Sequence, residues 1–125
     1  LVTAALMILI ALLSMNSGME TYEEAKARAL TPYEAHYANA EGFDDAYLAV
    51  LGNCSMCHAR EPFYGDLLWA PKGVLLETKS DVARHAEEIY LQAGRTHAMP
   101  PPNAVQMAEA DRAKLRSWVL AARAN

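Results

Sequence analysis

A five-residue stretch near the middle of the chain constrains the fold more than any other feature. It reads Cys54-Ser55-Met56-Cys57-His58, and its two cysteines are the only ones in the sequence. This spacing is the attachment signal for a c-type haem, in which each thiol forms a thioether with the porphyrin and the histidine is the proximal iron ligand. Residues three apart on a helical turn share a face, so both thiols can reach one macrocycle. We expect one covalent haem c, bound by Cys54, Cys57 and His58.

Two other interpretations of the cysteine pair are weaker. A redox dithiol of the thioredoxin type lies in a βαβ pattern, and this sequence carries no strand signal. A structural zinc site needs a third and a fourth ligand at similar spacing, and there is no second Cys-x-x-Cys pair. The motif therefore favours haem over a dithiol or a zinc ion.

The composition limits the kind of protein that this chain can be. A length of 125 residues suits one domain with at most one appended segment, and a hydrophobic fraction of 53% is enough for a core. The formal net charge of -4 argues against a nucleic-acid partner. Because c-type attachment implies export, we expect the haem domain to lie in a periplasm-like space.

The first 13 residues are apolar and carry no charged side chain. This run is shorter than the roughly 20 residues that span a bilayer. No basic residues precede it, and Ser14-Met15-Asn16-Ser17 offers no Ala-x-Ala cleavage site. We interpret residues 1–19 as the end of a transmembrane helix or an apolar anchor. The core of a signal peptide and a helix buried in a soluble domain stay open as alternatives.

A polar segment over residues 20–41 follows the apolar run. Two Thr-x-x-Glu sequences, which begin at Thr21 and Thr31, have the form of a capping box. They predict short helices over residues 22–30 and 32–40. We expect this segment to be a solvated linker.

Residues 42–125 are predicted to form helices on both sides of the haem motif. An apolar helix runs into the haem motif, and a loop rich in proline and glycine follows over residues 59–78. A third helix begins after Thr78, where Thr78-x-x-Asp81 can form its cap, and it stops at Gly94, with His85 in its middle. The last helix covers about residues 108–123, and its predicted buried face is Ala113, Leu115, Trp118, Val119 and Ala122.

This order of elements predicts an all-α fold, and it resembles that of class I cytochromes c, in which the chain wraps around one haem. In such folds the first and last helices of the domain cross beside the haem. The residues expected at that crossing are Phe43, Tyr47 and Trp118.

Met99 is the candidate for the sixth iron ligand. It lies downstream of the motif beyond a loop and a helix, and the prolines that follow it restrict the backbone. A thioether favours ferrous iron more than a second imidazole does, which suits an electron carrier. His97 and Met107 are the competing ligands, and packing in the core is the alternative role for Met99.

Further residues are expected around the haem. A backbone carbonyl should accept the Nδ1 proton of His58, and we assign it to Pro71, with Pro62 in reserve. The aromatic side chains of the loop, Phe63, Tyr64 and Trp69, should pack on a haem edge or fill the core. The residues that could pair with the haem propionates, or equally lie on the surface, are Trp69, Lys72 and Arg95.

Three blocks of sequence carry a narrower resemblance. They read Cys54-x-x-Cys57-His58-Ala59, Ala70-Pro71-Lys72-Gly73-Val74 and Ala98-Met99-Pro100. Further agreement comes from Thr78, His85-Ala86, Gln92-Ala93, Thr96, Asn103, Met107 and Trp118. Together these residues resemble the C-terminal cytochrome domain of the bacterial cytochrome c-type urate oxidase (urate hydroxylase) family, over about residues 42–125.

The resemblance implies a function and a location. That family joins a multi-spanning N-terminal domain, where urate is oxidised, to a cytochrome domain on the periplasmic side of the inner membrane. By this resemblance the chain passes electrons from urate oxidation to a respiratory acceptor. Cys54, Cys57, His58 and Met99 would take the attachment, proximal and distal roles. No urate-binding or catalytic residue is assigned here, and Pro101-Pro102 departs from the family pattern.

Two rival functions stay open. One is a stand-alone, membrane-anchored cytochrome c that shuttles electrons between respiratory complexes. The other is a ligand-binding or peroxidase-like haem domain, which requires a vacant or labile position opposite His58.

Overall fold

The computed structural model describes residues 1–16 and 18–125, and this part of the chain is helical without any strand. The all-α prediction is therefore confirmed for these residues. A 3₁₀ turn lies at Pro71–Gly73 and a π-helical turn at Tyr90–Arg95. The α-helices are α1 (Val2–Asn16), α2 (Tyr22–Ala27), α3 (Pro32–Ala38), α4 (Phe43–Cys54), α5 (Lys79–Arg84), α6 (Ala86–Ile89) and α7 (Glu109–Ala124).

Helices α4 and α7 pack against each other, and a contact between Phe43 and Trp118 joins them at the start of α4. The rings of Phe43 and Trp118 are 5.4 Å apart, as expected for the predicted crossing, and Tyr47 stacks on Phe43. Gly42 precedes α4 with a φ of 82°, and a Cβ built there would lie 3.8 Å from the Trp118 Cα. Glycine suits this position because it adopts positive φ without strain. The indole N–H of the fully buried Trp118 donates to the carbonyl of Tyr37.

The inward face of α7 differs from the prediction at one turn. Leu115, Trp118, Val119 and Ala122 are buried as expected. Ala113 is only half-buried, and its neighbour Arg112 lies in the interior instead, with 4% of its surface exposed. The helix therefore presents one charged side chain to the core.

The two short helices α2 and α3 form where the capping boxes place them. Both Thr21 and Thr31 make the reciprocal bonds of a capping box with the glutamate three residues later. The prediction that this segment is a solvated linker is wrong, because α3 packs on α5 and α7 and buries Glu34 and Tyr37. The carboxylate of Glu34 forms ion pairs with two arginines, so it can be buried next to the apolar core.

The third predicted helix is divided. His85 separates α5 from α6 with φ −100° and ψ 20°, so it is not in the middle of a continuous helix. Gly94 lies within the π-helical turn and is not a helix stop. A Cβ at Gly94 would lie 3.3 Å from Cγ of Arg116. A side chain at this position would require Arg116 to shift by a few tenths of an ångström, so glycine favours the close approach of the turn to α7.

Helix α1 carries apolar side chains that do not enter the core. All residues from 1 to 15 are exposed, including Leu9 and Ile10 at about half of their full surface. Helix α1 is therefore not buried against the rest of the described chain, and the interpretations of residues 1–19 stay predictions. Among the described residues, no helix combines the length and the hydropathy needed to cross a bilayer.

Candidate haem site

The Cys-x-x-Cys-His motif continues the last turn of α4. Cys54 is the final residue of the helix, and its carbonyl accepts from the N–H groups of Cys57 at 3.3 Å and His58 at 2.9 Å. The hydroxyl of Ser55 donates back to the carbonyl of Leu51 at 2.6 Å. These bonds keep both cysteines and the histidine on one compact turn, as attachment to a single macrocycle requires.

The loop after the motif folds back onto it through backbone bonds. The carbonyl of Met56 accepts from the N–H groups of Phe63 and Tyr64 at 3.1 and 3.2 Å. The carbonyl of His58 accepts from the N–H of Leu76 at 2.7 Å. The loop is therefore fixed to the motif near its beginning and near its end.

The ring of His58 is oriented by a backbone carbonyl. Its Nδ1 lies 3.0 Å from the oxygen of Val74. With the proton on Nδ1, the ring donates to this oxygen and leaves Nε2 unprotonated, the form that binds a metal. The assignment of this carbonyl to Pro71 or Pro62 is wrong. Pro71 accepts instead from the N–H of Val74 within the 3₁₀ turn, so its carbonyl closes the turn that presents Val74.

The two thiols have the character of neutral groups. Burial, together with the nearby Cys57, raises the pKa of Cys54 to about 11, although the positive charge of Arg112 opposes this shift. Burial also raises the pKa of Cys57. A redox-active dithiol normally has a thiol of lowered pKa. The raised pKa values therefore argue against the dithiol interpretation.

The zinc interpretation lacks the other ligands that it needs. Zinc in a structural site takes four ligands, most often Cys and His. Across residues 1–16 and 18–125, no three or more His, Cys, Asp or Glu side chains come together in a way that could hold a metal ion. Cys54 and Cys57 are thus not completed by further ligands in this part of the chain.

The loop presents large apolar side chains outside the protein core. Phe63, Leu68 and Trp69 are exposed over 75%, 80% and 67% of their surfaces, so the core-filling alternative is wrong for Phe63 and Trp69. Contiguous exposed apolar side chains are typical of binding surfaces, and Leu68 and Trp69 are neighbours in the chain. Because this loop folds back onto the motif, its surface suits contact with an apolar macrocycle. Contact of Trp69 and Pro71 with the haem stays a prediction.

The predicted propionate partners are available for such a role. Lys72 and Arg95 are both exposed, and neither forms an ion pair within the described residues. Lys72 adopts a φ of 55° within the 3₁₀ turn, between Pro71 and Gly73. Pairing of either residue with a propionate remains a prediction.

The three candidates for the distal ligand lie in different environments. Met107 is part of the hydrophobic core and is 9% exposed. His97 is exposed, and its Nε2 lies 3.8 Å from a carboxylate oxygen of Glu109. Met99 is 38% exposed, so it does not fill the core. Its backbone is held on both sides, because its N–H donates to Gln92 and its carbonyl accepts from Arg112.

Sequence reasoning missed two contributors to this site. Val74 acts through a backbone carbonyl, which no side-chain pattern reports. Arg112 did leave a signal, because it precedes Leu115, Val119 and Ala122 by three, seven and ten residues on one face of a helix. A charged residue in that register is buried only with hydrogen-bond partners, and the sequence does not show which groups those are.

Comparison with family models, with curated proteins and with solved structures finds no match to this chain. The function must therefore be argued from the site. The decisive features are the shared turn of Cys54, Cys57 and His58 and the ring of His58 held at Val74.

Proposed function

We propose that this chain is a monohaem c-type cytochrome domain that transfers electrons. The observation that carries the proposal is the compact turn of Cys54, Cys57 and His58, with Nδ1 of His58 3.0 Å from the carbonyl of Val74. When bound, the haem supplies a one-electron iron couple. The protein fixes its position, its axial ligands and its exposure.

Each residue of the proposed site has a separate role. The thiols of Cys54 and Cys57 would add across two vinyl groups of the haem to form the thioether links, and Nε2 of His58 would hold the iron on one side. The Val74 carbonyl keeps the imidazole in the ligating tautomer. The thioether of Met99 is the distal ligand and favours the ferrous state. The fold that we propose is that of a class I cytochrome c, supported by the contact of Phe43 with Trp118 where α4 meets α7.

We further propose that the electrons come from urate oxidation in an adjoining N-terminal membrane domain and pass to a respiratory acceptor. The support is the resemblance of the three sequence blocks to the urate oxidase family, together with the exposed apolar helix α1. The location would be the bacterial inner membrane, with the haem domain in the periplasm. In the full-length enzyme, urate should reduce the haem without releasing hydrogen peroxide. Peroxide formed in equal amount to urate consumed would contradict this route.

An apolar α1 also suits a stand-alone cytochrome that is anchored to the membrane. The coding sequence upstream of Leu1 separates the two cases. Several further membrane spans support the urate-oxidising protein, whereas a short basic start supports the stand-alone carrier. The exposure of Met99 favours a third function, ligand binding, if its thioether is labile. Carbon monoxide binding to the reduced wild-type protein at neutral pH would support that function.

The first test is whether haem is attached. The chain is exported to a bacterial periplasm together with a c-type maturation system, purified, and run on a denaturing gel stained for haem. We expect haem to stay with the denatured chain and a sharp α band in the reduced spectrum. The Cys54→Ala, Cys57→Ala double variant is the control, and it should lose its haem on denaturation. A colourless wild-type protein would overturn the proposal and return the cysteines to the dithiol and zinc interpretations.

A further inference from the structure

Arg112 makes an unusual set of contacts in the interior. Its Nη1 donates to three backbone carbonyls, those of Ala93 at 2.7 Å, Thr96 at 3.2 Å and Met99 at 2.9 Å. Its Nε is buried without a hydrogen-bond partner. No carboxylate lies within ion-pair distance of the guanidinium in the described part of the chain. The three carbonyls are thus the partners of a buried positive charge.

A charge in this position is costly unless those carbonyls stay in place. Burying a guanidinium without a counter-ion is unfavourable, and hydrogen bonds to the charged group offset part of that cost. Nη1 carries two protons for three acceptors, so at least one proton is shared between two carbonyls. Movement of any one carbonyl away would weaken the solvation of the charge.

These three carbonyls belong to one short stretch, residues 93–99, which we call the distal segment. It includes the end of the π-helical turn and leads to Met99. Two hydrogen bonds fix the backbone of Met99: a local one from its N–H to Gln92 at 2.8 Å and the bond that its carbonyl accepts from Arg112. Arg112 is therefore the link between the backbone of Met99 and α7.

We propose that Arg112 is a positioning residue that holds Met99 at the distal iron position. This inference rests on the proposed function, because it assumes a haem at the motif and Met99 as its ligand. Arg112 acts on the backbone of the distal segment and does not itself touch the iron. Without it the haem stays attached through the cysteines, but Met99 leaves its ligating position for much of the time.

Arg116 provides a matched control on the same helix. It lies one turn after Arg112, and its Nη1 donates to the carbonyl of Gly94 at 2.8 Å, while its Nη2 pairs with Glu109. It thus binds the same π-helical turn but makes no hydrogen bond to Met99. Arg112→Leu and Arg116→Leu remove comparable side chains, and Arg112→Lys keeps a positive charge and hydrogen-bond donors.

The readout is the weak near-infrared charge-transfer band from sulfur to ferric iron, measured per covalently bound haem. We expect the ratio of Met99-ligated to released protein to fall about tenfold in Arg112→Leu, because hydrogen bonds from charged groups are the stronger class. Arg116→Leu should keep the band, and Arg112→Lys should retain more of it than Arg112→Leu. Reduced Arg112→Leu should also bind carbon monoxide more readily than the wild type, and its reduction potential should fall.

Several outcomes would overturn this role. An unchanged band in Arg112→Leu, an equal loss in Arg116→Leu, or an equal loss in the lysine and leucine variants would each do so. If circular dichroism shows that Arg112→Leu does not fold, the near-infrared band is compared between Arg112→Lys and Arg116→Leu. A weaker band in Arg112→Lys supports the role of Arg112, and a band of equal strength in both contradicts it. If the wild type carries covalent haem but Met99→Ala retains the band, Met99 is not the distal ligand; this overturns the role of Arg112 and leaves the c-type haem attachment in place. A wild-type protein without covalent haem would already have overturned the proposed function.

Discussion

The proximal loop, residues 59–78, and the distal segment are held in place by different means. Backbone hydrogen bonds join the proximal loop to Met56 and His58. Ion pairs of Arg60 join the start of the loop to its end and to the first turn of α5. In these pairs Arg60 contacts Glu77 at 2.9 Å and Asp81 at 3.0 Å. The distal segment depends on backbone bonds within its own turn and on two arginines of α7, Arg112 and Arg116, which donate to its carbonyls. The proximal loop is therefore fixed redundantly, by backbone bonds and ion pairs together, whereas Met99 in the distal segment is joined to α7 through Arg112.

The two sides also differ in the chemistry of their contacts. The ion pairs at the ends of the proximal loop use carboxylates, which lose their charge in acid. The contacts of Arg112 use backbone carbonyls, which do not titrate. Substitutions and acid should therefore affect the proximal loop and the distal segment differently. The largest difference is expected when the two proposed iron ligands are substituted.

His58→Ala should have the largest effect. It removes the proposed proximal ligand and the contact with Val74, so we expect covalent haem to fall to a small fraction of the wild-type content. Met99→Ala, in contrast, should keep its haem, because both thioether links remain. Haem-stained denaturing gels and haem content per chain measure this difference. Full haem content with an unchanged spectrum in His58→Ala would contradict the proximal assignment.

Met99→Ala and Met107→Ala should show which methionine is the iron ligand and which one packs in the core. Met99→Ala should lose the near-infrared band with little change in the stability of the haem-free chain, because Met99 is partly exposed. Met107→Ala should keep the band but lower the free energy of unfolding by about 2–5 kcal/mol, the usual cost of removing a buried methionine side chain. Spectra and denaturant titrations measure both. Loss of the band in Met107→Ala alone would identify Met107 as the ligand.

Acid should weaken the proximal loop through Asp81. Burial raises the pKa of Asp81, but hydrogen bonds from Arg60 and Thr78 lower it by more than burial raises it. The pKa of Asp81 therefore lies below its ordinary value. A lowered folded-state pKa adds stability above the unfolded-state pKa of about 4, and this stability is lost as pH falls through the folded-state value. Asp81→Asn should therefore be less stable than the wild type by about 3 kcal/mol at neutral pH. The difference should shrink in acid.

Two further carboxylates are needed to interpret that experiment. Burial raises the pKa of Glu34, but hydrogen bonds from Arg28, Thr31 and Arg84 outweigh burial and bring it to about 2. Glu34 therefore adds its own acid sensitivity, and only the difference between wild type and variant reports on Asp81. Asp44→Asn is the control, because Asp44 pairs with Lys79 while it is 82% exposed. A pH-independent difference for Asp81→Asn would contradict the predicted linkage.

The parts of the fold that the sequence predicted are those encoded locally. The capping boxes at Thr21, Thr31 and Thr78 all form, because each bond joins residues only three apart. The packing of Phe43 on Trp118 was also predictable, since amphipathic helices with aromatic residues on one face must bury that face together.

The errors concern places where distant segments meet. The break at His85 was not predicted, and neither was the close approach of Gly94 to Arg116 on α7. The carbonyl at His58 belongs to Val74 because Pro71 forms a turn of its own. The burial of Arg112 requires carbonyls that lie 13 to 19 residues away. None of these contacts has a local signature in the sequence.

The smallest expected effect concerns the cap where the proximal loop ends. The Thr78 side chain accepts from the N–H of Asp81 at 3.1 Å, and both residues are buried. Thr78→Ala should cost about 1 kcal/mol of stability, as is usual for an N-cap. Thr21→Ala removes the same type of cap at an exposed site and should cost less, because water can bind the released N–H. Denaturant titrations of both variants test this. Equal losses would mean that the cap at Thr78 gains nothing from the Arg60 and Asp81 pairing around it, so the redundancy of the proximal loop would be smaller than its contacts indicate.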